Sequence, residues 1–115
     1  MEHAEVERSK AFIIVEMLEY ASHSTVIKTI VRKTTGNVSA VSCDSGEVLK
    51  EKISPFDNFI QVMDGRAEIV IDDKSTMLET GQSIIIPAHS RNTIKAHVRF
   101  KMLSTIIKSG YEEVI

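Results

Sequence analysis

The chain holds a single cysteine, Cys43, in 115 residues. An intramolecular disulfide is therefore excluded, as is a structural zinc site built on thiolates, and the usage agrees with a reducing compartment. Long apolar runs are missing as well. No stretch approaches the roughly 20 residues that a membrane-crossing helix needs, so no membrane insertion is expected. The opening residues, Met1-Glu2-His3-Ala4-Glu5-Val6-Glu7-Arg8, are polar and acidic where a secretory signal would be basic and then apolar; the expected location is cytoplasmic. An excess of positive charge is also absent. Fourteen basic residues stand against 16 acidic ones, for a net charge of −2, and the basic ones are scattered, whereas a nucleic-acid binder concentrates them on one face. The nearest approach to a cluster is Lys28, Arg32 and Lys33, where strand alternation puts the first and second on one face, read as solvated surface. No nucleic-acid partner is expected. Internal repeats, low-complexity segments and a convincing interior helix are absent too.

What is present is β pattern. Thr25 to Lys33 is rich in β-branched residues and alternates as a half-buried strand does, and residues 37–43 follow after a turn at Thr35-Gly36-Asn37. Residues 58–63 and 67–71 flank Asp64-Gly65, a dipeptide that readily takes the positive dihedrals of a tight turn; the reading is a β-hairpin. A second turn at Asp72-Asp73-Lys74 leads into residues 75–78. The run Ser83-Ile84-Ile85-Ile86 ends at Pro87, which removes a ladder donor. Residues 91–96 and 99–107 complete a series of short strands that favours a sandwich or barrel. Residues 11–18 are too apolar to be left in solvent and are read as an edge strand covering the sheet. One core suits a chain of this length, giving an arm over 1–10, one domain over 11–108 and a tail over 109–115.

Two glycine frames organise this series. The first runs from Gly46 through Lys52-Ile53-Ser54-Pro55-Phe56-Asp57-Asn58 to Gly65. The second runs from Gly81 through Pro87-Ala88-His89-Ser90-Arg91-Asn92. Their spacing resembles the cupin superfamily, whose motifs are written G-x5-H-x-H-x3-4-E-x6-G and G-x5-P-x-G-x2-H-x3-N. The likeness extends to Val62-Met63-Asp64-Gly65-Arg66-Ala67, Leu78-x-x-Gly81 and Phe100-Lys101-Met102-Leu103, and covers roughly residues 11–108. The fold it implies is all-β, a double-stranded β-helix or jelly-roll barrel with a pocket at one mouth.

Where the family places metal ligands, this chain has Lys52, Ser54, Asn58 and Asn92. Family metal sites use imidazoles and a carboxylate because these offer lone pairs at neutral pH. An ammonium with an ordinary pKa of about 10.4 repels a divalent ion, and three neutral oxygen donors supply no compensating charge. No metal and no cofactor are expected. If the four residues converge, they present amides, a hydroxyl and one positive charge in an apolar cup, which suits a small polar ligand bearing a carbonyl, carboxylate or hydroxyl. Against this stands a bare scaffold, with Lys52 reaching solvent and the asparagines bonded to strand-end backbone.

Two further classes stay open. Metal-independent isomerases and epimerases occur among cupins, and an enzyme needs a base or nucleophile in the cup. The candidates are Cys43, Lys52, His89 and Asp57, each with an ordinary structural reading: a buried small hydrophobe for Cys43, an exposed turn for His89, a turn residue for Asp57. His97 is read as pointing outward. Gln61, Met63 and Arg66 are candidates to line or block the pocket. The third class is a dimeric interaction or regulatory module, since Phe12-Ile13-Ile14-Val15 and the last strand offer more apolar surface than one barrel needs, and a homodimer is expected.

Overall fold

The computed structural model describes residues 6–108, apart from the side chains of residues 51 and 52. The tail expected over 109–115 and the first half of the arm lie outside the described residues. Eight strands follow in chain order: β1 (Thr25–Lys33), β2 (Gly36–Cys43), β3 (Val48–Ile53), β4 (Asp57–Ile71), β5 (Lys74–Glu79), β6 (Ser83–Ile86), β7 (Arg91–Lys95) and β8 (Phe100–Ile107). All pair antiparallel, in the order β1-β2-β8-β4-β7-β3, with β5 and β6 attached to β4. The sheet curls on itself as a jelly-roll barrel. One wall holds β1, β2, β8, β6 and the first half of β4; the other holds the second half of β4 with β5, β7 and β3.

The β4 strand departs from the expected hairpin. It runs unbroken for 15 residues, and Asp64-Gly65 lies inside it. Up to Gly65 the strand pairs with β8; from Arg66 onward it pairs with β5. The register slips between Val62 and Asp64, a bulge that re-aims the strand from one wall into the other. Gly65 sits there with φ +77°, and a Cβ at this point would run into the carbonyl oxygen of Arg99. The positive dihedral that signals a turn thus serves a corner. The hairpin that β4 does make is with β5, through Asp72 and Asp73, both left-handed at φ 47° and 69°, as a type I′ turn requires.

Alternation then builds the core. Val41 and Cys43, Phe100 and Met102, Ile60 and Val62 point inward from the first wall; Ala67, Ile69, Ile94 and Ala96 meet them from the second. Phe100, Ile60, Ile69 and Val62 are fully buried, and truncating Phe100, Ile60 or Ile69 to alanine costs about 2 to 5 kcal/mol.

Residues 11–18 are not a strand. They contain a single 3-10 turn at Ile14–Glu16, and Phe12 and Ile13 stay exposed. The segment crosses the outside of the first wall, where Leu18 is buried, as is Ala40 of β2. Side chains tie it down in place of a ladder. Lys101 donates to the Val15 carbonyl at 2.7 Å, Ser42 to the Glu19 carbonyl at 3.1 Å, and the Tyr20 hydroxyl to Asp64 at 2.5 Å. Arg99 and Lys101 flank the Tyr20 ring at 4.4 and 5.0 Å. Among the described residues no helix is long and apolar enough to cross a membrane.

Candidate functional site

The register of the first wall stacks its inward side chains in rungs. Asn37, Ile106 and Asn58 form one; Ser39, Ser104 and Ile60 the next; Val41, Met102 and Val62 the third. Polarity therefore falls along the barrel, from amide to hydroxyl to hydrocarbon. The opposite wall repeats the gradient, with Asn92 one step outside Ile94 on β7. Between the walls lies a cavity of about 190 Å³. Its floor is Val41, Met102, Leu49 and Ile94, and its polar rim is Asn37, Ser39, Ser104, Asn58 and Asn92. Ile27, Ile106 and Lys50 stand at the mouth. Lys50 is the only charged side chain among the described residues that line it.

One bond orients the rim. Ser104 Oγ donates to Asn58 Oδ1 at 2.9 Å. With that oxygen engaged, the Asn58 amide has its two N–H donors left for a guest. No buried polar side-chain atom is left without a partner among the described residues.

The four residues picked out by spacing part company. Asn58 and Asn92 line the cavity from opposite walls. The backbone of Lys52 lies in register with Asn92, on β3; its side chain is outside the described residues. Ser54 lies in the loop before β4 and is not among the lining residues. Its hydroxyl accepts from the Phe56 N–H at 3.1 Å, and its carbonyl accepts from the His89 N–H at 2.6 Å. A serine two residues before an amide it can cap is spent on its own turn.

The other candidates are placed elsewhere. Cys43 is buried in the core, and burial pushes its thiol pKa up. His89 is exposed in a turn with φ +68°. Asp57 opens β4 and accepts from the Ala88 N–H at 2.8 Å. His97 points outward and meets Glu68 at 2.5 Å; hydrogen bonds from Ser75 and then from His97 hold the Glu68 carboxyl below its usual range. Gln61, Met63 and Arg66 are not among the cavity residues, and Arg66 faces Glu79 at 4.0 Å.

Motif spacing alone does not reach Asn37, Ser39, Ser104 and Lys50. The first and second belong to β2 and the third to β8, strands outside both glycine frames. The available signal was alternation: Asn37-x-Ser39-x-Val41 runs polar to apolar on one face, and Met102-x-Ser104-x-Ile106 sets one hydroxyl between two apolar residues on another.

The donors do not fit the transition metal that cupin scaffolds commonly hold. The described rim consists of neutral amides and hydroxyls with one ammonium and carries no imidazole or carboxylate. Among the described residues, no three of His, Cys, Asp and Glu gather as a metal site would need.

No protein-family model matches the chain, and no curated protein matches it. Solved structures do. A conserved protein of unknown function from Streptococcus pyogenes is 25% identical with a TM-score of 0.86, over 91% of this chain and 92% of that one. A Cupin 2 conserved barrel domain protein from Leptotrichia buccalis is 28% identical with a TM-score of 0.82, over 84% of this chain; the match spans about half of that protein, 47%. A cupin superfamily protein from Desulfitobacterium hafniense is 20% identical with a TM-score of 0.84, over 93% of this chain and 98% of that one, a likeness of fold.

Proposed function

We propose that this chain, a small cupin-family domain, binds a small polar molecule in its barrel cavity without the help of a metal. The observation that carries the reading is the graded cavity, in which three asparagines and two serines ring a hydrocarbon floor. A volume of about 190 Å³ is below the range of pockets that take drug-sized ligands, which favours a compact guest. The amides supply direction through paired donors and acceptors, while the floor supplies desolvation. A general base is missing from the described lining, since Lys50 is exposed at the mouth and the other polar groups are amides and hydroxyls. Binding therefore suits the cavity better than turnover.

The test is a thermal-shift screen of small carboxylates, carbonyl compounds and polyols against chelator-treated protein, followed by product analysis of each hit. A ligand that is returned unchanged, and whose stabilisation falls in Asn92→Ala and Asn58→Ala, is the expected result. Conversion of the hit would make the isomerase class correct, and stabilisation indifferent to both substitutions would move the site elsewhere.

A further inference from the structure

Resting on that reading, we infer that the cavity selects short aliphatic carboxylates over neutral polyols and amides. Its polar end offers donors and a positive charge to an anion. Asn58 Oδ1 is engaged by Ser104 at 2.9 Å, so this amide offers N–H groups to the cavity. Lys50 brings the single described charge, and it is positive. Acidic side chains are absent from the described lining, so no negative charge among those residues repels an anion. A carboxylate oxygen accepts charge-assisted bonds from both an ammonium and an amide. The other end has the complementary preference. Val41, Leu49, Ile94 and Met102 can bond no second polar group, so a guest polar at both ends would bury an unpaired group against them. One anionic head and a short branched or linear hydrocarbon tail satisfy both ends of a cavity of about 190 Å³.

The experiment is an NMR titration of isotope-labelled protein with butyrate, isovalerate, isovaleramide and erythritol, following the side-chain amides of Asn37, Asn58 and Asn92. Isovalerate and butyrate are expected to shift these signals saturably, and isovaleramide to bind more weakly. Lys50→Met should weaken isovalerate by roughly fivefold, the reach of an exposed ion pair, and leave isovaleramide unchanged. Asn58→Asp is isosteric and keeps an acceptor for Ser104; the carboxylate it creates should weaken isovalerate at least about tenfold, as like charges at close range do. Equal binding of isovalerate and isovaleramide, or a preference for erythritol, would overturn the carboxylate inference while leaving a ligand-binding cavity. Silence of all four probes would overturn the binding reading as well.

Discussion

Tyr20 shows how one side chain secures a segment that lacks a ladder. Burial first, then the hydrogen bond and charge of Asp64, raise its phenol pKa far above the ordinary value of 10.0. The folded state thus keeps a proton that the unfolded chain gives up. The resulting stability is present in full below the unfolded value near pH 10 and is lost as pH rises through the folded one. Tyr20→Phe should cost about 1 kcal/mol at neutral pH. It should also remove part of the alkaline loss seen when denaturation midpoints are compared between about pH 8 and about pH 12. Identical pH profiles for the two proteins would show that the hydroxyl is not held as described. None of this was legible in the sequence. The apolar letters of 11–18 suggested a strand, whereas the tether is made by Lys101, Ser42 and Tyr20, partners 23 to 86 positions away from what they hold.

At the scale of elements, backbone chirality explains both the success and the failure of the sequence reading. Strand β1 is bounded as its β-branched run suggests, and β6 ends at Pro87. Strand β3 escaped notice because Lys50-Glu51-Lys52 sits in a stretch poor in strand formers. Asp64-Gly65 misled because a positive φ fits a hairpin turn and a bulge equally well, and only the pairing of β4 with β8 and then β5 decides between them. The true hairpin uses Asp72-Asp73, with two non-glycine residues held left-handed. Asp72 also accepts from the Arg91 N–H at 2.9 Å, so its side chain does structural work, whereas Asp73 pays a steric penalty alone. Asp73→Gly is expected to stabilise the fold by about 0.5 to 1 kcal/mol in urea denaturation. A loss instead would mean that the glycine gains more freedom in the unfolded chain than it relieves in the turn.

Across the whole molecule, legibility divides along the line between local and closed structure. The all-β class came from alternation, and the motif frames came with Asn58 and Asn92. Alternation marked the faces of β2 and β8 but not their meeting, because the two strands become neighbours only when the sheet closes, so Ser39 meets Ser104 across 65 positions of chain. Apolar surface remains outside: Phe12, Ile13, Ile85 and Ile107 are 44, 58, 59 and 53% exposed. We propose that two copies of the chain cover part of it by pairing, with sedimentation at micromolar concentration giving twice the chain mass, reduced by Phe12→Ser with Ile13→Ser; a monomer throughout would sink the idea. The corner in β4 reaches further than packing. Because one strand carries the ladders of both walls, neither wall is a transferable module. Grafting, permutation or recombination that cuts at residues 64–65 would divide both at once, leaving a barrel inherited whole.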